Sequence, residues 1–500
     1  MTSAFVPAEW PWFHYLRCEF TRSASGQQVQ GALHYAVAKT DLTDEQVEQL
    51  VRAESSEADA ADSPPDFGSD VVALTERYVW NVPVNSALHG SPEEQSELRS
   101  RWEIAERLLT HLWLVAGLSY YKTAAAPQIR VHGDRPFSAH DLGLHQLLLT
   151  RGLGEFCFVN GLDPELHPTW LAQLTDSPIR LIVGAGLRNG PLVPVGGGKD
   201  SCVTIEALRG AERSPTLVTV RRFPIIQDVI EASGIPDVAV ERTIDQRIVV
   251  LNNAGALNGH VPATAIVSFA ALVGAALGGH DALVMSNERS ASEGNVEYRG
   301  VSINHQWAKS EEAEAAIAAA VARISPELRW FSLLRPLSEL DISRRFAATC
   351  QRYFSSFSSC NRTQRIDPSR RVVRWCGECP KCQFVYLALC TSLSRDQVET
   401  IWGDELFASS PIDGFRALLG LADWKPFECV GEHVECRVAL ASIIDQPEWA
   451  DHRVLRQLAD EVRDANGWPT AADHAAVYGL ESAPVVPLDY LEIIRAGSLS

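Results

Sequence analysis

Leu192-Val193-Pro194-Val195-Gly196-Gly197-Gly198-Lys199-Asp200-Ser201 is the stretch from which the fold can be read. Four largely apolar residues read as a short strand, three glycines follow, and residues 202–208 continue as a helix. A strand that passes through glycines into a helix presents backbone N–H groups at a positive helix end, and these suit a phosphate or pyrophosphate. Glycine lets that backbone approach the anion with no Cβ in the way. The spacing is neither GxGxxG nor the Walker pattern ending in Gly-Lys-Ser/Thr. A glycine-rich surface turn is the alternative, and the strand before and helix after weigh against it.

Outward from this loop the pattern alternates. Residues 181–183, 192–195, 217–220, 238–240, 248–251 and 282–285 read as strands, with helices over 202–208, 226–232 and 263–277 between them. Alternation of this kind predicts an α/β fold with a parallel sheet covered on both faces, whose ligands bind beyond the strand C-termini. Residues 196–201 stand at such an end. Ser310 is placed to cap an alanine-rich helix over 311–323, expected to be surface scaffolding. Upstream, strands over 15–20 and 31–37, a polar helix after Thr43 and a helix over 94–114 suggest an α+β N-terminal domain. Residues 53–70 carry six acids and no base and read as a mobile acidic loop. The expected division is 1–175 for that domain, 176–345 for the loop-bearing α/β domain, 346–390 for a cysteine-rich segment and 391–500 for a helical C-terminal region.

The chain has 500 residues, 63 acidic and 44 basic, for a net charge of −19. That balance argues against a general nucleic-acid surface, which needs excess Lys and Arg. The start of the sequence lacks a positive segment followed by a long apolar core, so a cytoplasmic location is expected. Residues 261–279 carry no charge, but their Ala and Gly content and the strand after them predict a helix buried against the sheet, not a membrane span.

Of the eleven cysteines, five lie between Cys350 and Cys382. Cys376-Gly-Glu-Cys379-Pro-Lys-Cys382, with Cys360 upstream, offers four thiolates for a structural Zn²⁺. Reduced thiols in a helix-capping loop and an iron–sulfur cluster are the alternatives. Arg362, Arg365, Arg370, Arg371 and Arg374 lie between these cysteines, as phosphate contacts or as a solvated loop balancing nearby acids.

The glycine loop resembles the Ser-Gly-Gly-x-Asp-Ser loop of the PP-loop ATP pyrophosphatases, with Gly196 in place of the first serine. The resemblance implies a PP-loop (HUP-like) domain that splits ATP to AMP and pyrophosphate. The cysteine pattern is similar to that of the 7-cyano-7-deazaguanine synthases, a PP-loop family. A wider resemblance, over roughly residues 110 to 390, is to the MurL-type muramyl-peptide epimerases. It is carried by Gly117-Leu-Ser-Tyr120-Tyr121-Lys122, Gly152-Leu-Gly-Glu155-Phe156, Asn258-Gly-His260, Met285-Ser-Asn-Glu288-Arg289, Asn304-His305-Gln306-Trp307-Ala-Lys309 and Ser359-Cys360-Asn361.

This resemblance implies ATP- and Mg²⁺-dependent inversion of the terminal L-glutamate of a UDP-muramyl dipeptide, UDP-N-acetylmuramoyl-L-alanyl-L-glutamate, for peptidoglycan synthesis. Under it Gly196, Gly197, Gly198 and Ser201 contact pyrophosphate, Lys199 adds positive charge, and Asp200 binds Mg²⁺ or braces the loop. The backbone after Val220 is the expected adenine position. His260 and His305 are the candidate proton-transfer bases because histidine titrates nearest neutrality. Lys309, Glu288, Arg289 and Asn304 are candidates for Mg²⁺, the adenylated carboxyl or the substrate carboxylate, and Tyr121 and Lys122 for closing the site. The alternatives are a nucleobase-modifying PP-loop enzyme and a nucleotide-binding protein without chemistry.

Overall fold

The computed structural model describes residues 4–23, 27–56, 69–81, 91–133, 138–175, 180–365, 368–422 and 425–497. Its strands are β1 (Trp12–Arg22), β2 (Val29–Ala38), β3 (Val71–Trp80), β4 (Gln128–Val131), β5 (Thr169–Leu171), β6 (Pro191–Pro194), β7 (Thr216–Val220), β8 (Asp237–Thr243), β9 (Ala282–Met285), β10 (Val296–Tyr298), β11 (Val301–Ile303) and β12 (Arg329–Ser332). Ten of them form one sheet in the order β12-β9-β6-β7-β8-β3-β2-β1-β4-β5, and β10 and β11 make a separate hairpin. The half β12-β9-β6-β7-β8 is parallel throughout. In chain order its strands run 5-4-1-2-3, a doubly wound arrangement whose order reverses between β6 and β9. The crevice at that reversal, beyond the C-terminal ends of β6 and β9, is where such sheets hold ligands.

Alternation within these strands explains why both faces are covered. Leu192, Val218, Leu283 and Met285 enter one core, while Val193, Leu217, Ala282 and Val284 enter the other. The first core is built largely on two helices, α2 (Pro92–Tyr121) and α8 (Ala263–Gly278), with further helices around them. Ser91 caps α2 in a reciprocal pair with Glu94, and a proline follows it at the first helical turn. The uncharged residues of α8 are spent on burial, and among the described residues no helix is long and apolar enough to cross a membrane. The second core is closed by α5 (Lys199–Gly210), α6 (Pro224–Ser233), α10 (Glu339–Thr349), α11 (Pro380–Leu389) and helices between Arg395 and Ala496.

Several expectations are corrected. Residues 181–183 are not a strand: Ile182 is buried, but its N–H pairs with the carbonyl of Ile324, at the end of α9 (Glu311–Ile324). An exposed-buried-exposed triplet imitates a strand even when no ladder partner exists. Residues 248–251 belong to a helix, α7 (Arg247–Ala254). Ile248 and Leu251, three apart, face the core while Val249 and Val250 are exposed, which is helical spacing inside an aliphatic run. α9 is more than surface scaffolding, since its Glu314 is buried against Arg335.

β3 was not anticipated, yet it joins the two halves. It pairs antiparallel with β2 and with β8, so the sheet runs without a break past residue 175. Of the expected acidic loop, residues 57–68 lie outside the described residues, and 53–56 are the last turn of α1 (Asp44–Ser56). There Glu54 accepts two bonds from the Arg247 guanidinium, at 2.8 and 2.6 Å, and Arg247 also bonds Asp245.

Candidate active site

β6 leads through Val195, whose N–H donates to the Val218 carbonyl at 3.0 Å, into Gly196–Gly198 and α5. Gly197 has φ +83°, and a Cβ there would lie 3.2 Å from Ile225 Cγ2. At Gly198 a Cβ would lie 3.0 Å from Ser359 Oγ, whereas at Gly196 it would meet open space. Gly198 is the N-cap of α5 and offers no side chain to its first turn; Ser359 Oγ accepts from the Lys199 N–H at 3.4 Å, and the remaining amides make this helix end an anion-type cradle. A second segment braces the loop from outside. Ser358 donates its N–H to the Gly197 carbonyl at 2.9 Å, and Gln364 its amide to the Gly196 carbonyl at 2.6 Å. Beyond β7, Arg221 holds a left-handed backbone at φ +64°, with its guanidinium over the Phe223 ring.

Next to the loop, Asp200, Glu288 and Glu339 bring carboxylate oxygens within 4.8 Å of one another. Each comes from a different place: the first turn of α5, the turn after β9 and the first turn of α10. Glu339 is neutralised by Lys199 and by Lys381, the latter at 3.0 Å, and these partners overcome the effect of burial and hold its carboxyl down at about 2. Lys199 therefore turns its ammonium inward, fully buried, onto Glu339 and Asp200. Glu288 is buried, and neither of its oxygens has a hydrogen-bond partner. Burial and the neighbouring Glu339 and Asp200 push its carboxyl up, against the pull of Lys309. Three converging carboxylates, one of them bare, form an oxygen-donor set of the kind that holds a hard divalent cation.

The second group is an acid–base cluster. His305 Nδ1 bonds Glu155, a residue of α4 (Gly154–Val159). The ring of His260 stacks obliquely on that of His305, with centroids 4.4 Å apart and His260 Nδ1 4.0 Å from the same Glu155 oxygen. Burial, then the charge of His305, lowers His260 to about 4, so it is a neutral imidazole at pH 7. Burial would lower His305 too, but contacts with Cys429 and Glu155 carry it up to about 9. Lys309 Nζ lies 3.4 Å from Cys429 Sγ. Lys122 borders this group by donating to Asn258 and to the Gly259 carbonyl at 2.6 and 3.1 Å, and burial lowers it to about 8.

Three predicted residues are not brought to these groups. Tyr121 is buried in the first core, edge-on to Phe13. Arg289 turns away from Glu288 and donates to the carbonyls of Ala476, Val477 and Gly479, closing the end of the helix Ala471–Tyr478. Asn304 is spent on the local backbone, donating to the Ala291 carbonyl and accepting from the Gln306 N–H.

The four cysteines converge. All their sulfurs lie within 4.8 Å of one another, with Cys360 to Cys379 at 3.9 Å and Cys376 to Cys382 at 3.7 Å. Tetrahedral coordination with zinc–sulfur bonds of about 2.3 Å requires sulfurs about 3.8 Å apart. The N–H groups of Cys379 and Cys382 point at the sulfurs of Cys376 and Cys379, and Gly377 supplies the left-handed turn between the first two. Of the arginines, Arg362 pairs with Glu378 and Arg374 donates to the Phe354 carbonyl.

Glu155, Glu339, Lys381 and Cys429 complete these groups and were not singled out as site residues. Lys381 was within reach, since it sits inside the cysteine motif. Nothing local marks Glu339 or Cys429.

The fold and these groups define a doubly wound α/β protein whose charged groups gather around a glycine loop at the strand-order reversal. The chain belongs to the MurL family: the MurL N-terminal domain matches residues 77–333 and the MurL C-terminal domain residues 356–473. It is 43% identical over 369 residues to the UDP-N-acetyl-alpha-D-muramoyl-L-alanyl-L-glutamate epimerase of a Micromonospora species, covering 73% of this chain and 81% of that protein. The protein of the same name from Xanthomonas oryzae pv. oryzae is 40% identical over 360 residues, 72% of this chain and 79% of its own. That of Salinispora tropica is 39% identical over 398 residues, covering 79% and 84%. No solved structure matches the chain.

Proposed function

We propose that this chain inverts the terminal L-glutamate of UDP-N-acetylmuramoyl-L-alanyl-L-glutamate at the expense of ATP, through an acyl adenylate. The observation that carries the reading is the adjacency of two unlike groups: a glycine loop with three carboxylates, and an acid–base cluster, linked by Lys309. The first suits phosphate chemistry and the second proton transfer. The need for ATP follows from acidity. The α-proton of a carboxylate is very weakly acidic, whereas an acyl adenylate has lost the negative charge and gained an electron-withdrawing group. Removing the α-proton, returning one from the other face and hydrolysing the adenylate gives D-glutamate, AMP and pyrophosphate.

In this reading the amides of residues 196–201 hold the leaving pyrophosphate. Asp200, Glu288 and Glu339 would hold Mg²⁺, which offsets charge on the phosphates when bound. Lys199 pairs with Asp200 and Glu339 and holds both carboxylates in place. His260 and His305, with Glu155 between them, form a pair of different acidity suited to proton transfer at this centre. Cys360, Cys376, Cys379 and Cys382 would hold a structural Zn²⁺.

Gly197→Ala is expected to raise the KM for ATP. A side chain at φ +83° costs about 1–2 kcal/mol and pushes the loop off Ile225. Steady-state kinetics at saturating dipeptide would show it.

The reading itself is tested by supplying ATP, Mg²⁺ and the muramyl dipeptide and measuring AMP and glutamate chirality. AMP together with D-glutamate is expected. AMP without inversion would redirect the search to other acyl acceptors, and no AMP would leave the nucleotide reading without support.

A further inference from the structure

Cys429 stands apart from the cysteines of the converging set. It lies in the C-terminal part of the chain, between the charged end of Lys309 and the imidazole of His305. It is partly exposed, unlike Cys157, Cys202, Cys350, Cys390 and Cys436, which are buried. Lys309 also faces the bare carboxylate Glu288. The order in space is thus carboxylates, Lys309, Cys429, His305, Glu155, His260. If phosphate chemistry happens at the carboxylates, the α-carbon is one bond beyond the activated carbonyl, toward Cys429.

We propose that Cys429 is a catalytic base of this site, whose thiolate removes the α-proton of the activated terminal glutamate. The assignment rests on the epimerase reading above. The step balances within the site. The Cα–H bond breaks, its proton goes to sulfur and its electron pair forms the enolate of the acyl adenylate. The protonated pair delivers a proton to the opposite face through His260, the imidazole that lies beyond His305 from Cys429, and the thiol returns its proton to the pair through His305. No oxidant, reductant or further reactant is needed.

Two physical observations make sulfur suitable. Two cationic groups flank it, and a thiolate beside cations is stabilised relative to the thiol. Burial would raise the thiol, but Lys309, His305 and Lys381 bring Cys429 down to about 7, so that a large share is thiolate near neutral pH. Glu428 and Glu155, and Glu288 and Asp200 on the far side of Lys309, are acidic groups close to this cluster.

The test is run in D₂O with ATP, Mg²⁺ and the muramyl dipeptide, following AMP release, α-deuterium incorporation and D-glutamate. Wild type should yield all three. Cys429→Ser and Cys429→Ala should keep AMP release within a few-fold while deuterium incorporation and inversion fall about 10²–10⁴-fold. A serine variant that still inverts within tenfold of wild type would overturn the assignment. Simultaneous loss of AMP release and inversion would overturn it too, because the side chain would then serve adenylation or folding. Alkylation of the wild-type protein by iodoacetamide, mapped by peptide mass, gives the same readout without a substitution: modification at Cys429 should abolish inversion and spare AMP release. If wild type releases no AMP with this dipeptide, it is the epimerase reading that fails, and that outcome is distinct from any variant result.

Discussion

Asp200→Ala is expected to suppress AMP formation by at least about a hundredfold while leaving the fold intact. Asp200 is the most accessible member of the carboxylate set, with its side chain 23% exposed. Its removal deletes one oxygen donor from the proposed cation site and leaves Lys199 with Glu339 alone. Because Glu339 keeps both lysine partners, the buried network loses little, and the thermal midpoint should move far less than the activity. Pyrophosphate exchange into ATP is the cleanest measurement, since it reads adenylation before any proton leaves carbon. Full turnover by this variant would place the nucleotide elsewhere. Its phenotype should also be the complement of a lost proton-transfer group, which spares adenylation and blocks inversion.

Removing the metal proposed for the cysteine set should do more damage. Four sulfurs converge within 4.8 Å of one another, and structural zinc sites contribute folding free energy directly. The segment they fix also supports the site. Ser358 and Gln364 hold the glycine-loop carbonyls, Ser359 Oγ lies 3.4 Å from the Lys199 N–H, and Lys381 holds Glu339. Cys379→Ser, or prolonged treatment with a strong chelator, is therefore expected to lower the unfolding midpoint and to abolish both AMP release and inversion together. Metal analysis of the purified protein should give one zinc per chain. A metal-free protein of unchanged stability and activity would show that the cysteines act as reduced thiols.

The sequence was informative where function is written locally. Three glycines between an apolar run and a helix, and cysteines at two-residue gaps, announce their geometry in a few residues: the structure has a strand and a helix on either side of the glycines, and the four sulfurs converge. Alternating apolar residues revealed the parallel half of the sheet, but they misled at 181–183 and 248–251. Whether an aliphatic triplet or quartet forms a ladder depends on a partner strand that the segment itself does not encode. Burial was the larger gap. Tyr121 and Arg289 belong to stretches on which the family resemblance rests, yet one ring fills the core and the other side chain closes a helix end. Conversely, Glu339 and Cys429 matter through partners 140 and 120 residues away, at Lys199 and Lys309, and nothing in their own neighbourhood signals that meeting.

The seam between the two halves of the sheet has a consequence for how the protein is made. β3 joins β8 through only four residue pairs, from Arg77 with Thr243 to Trp80 with Val240. As the chain leaves the ribosome, β1, β2 and β3 can pair at once, but the partner for the outer edge of β3 emerges about 160 residues after Trp80. Until then the edge at Arg77–Trp80 stands unpaired, which is a template for association between nascent chains. Long-range closure of this kind is slow, so the yield of soluble protein should be governed by the rate of translation and by chaperone supply more than by the stability of the finished sheet.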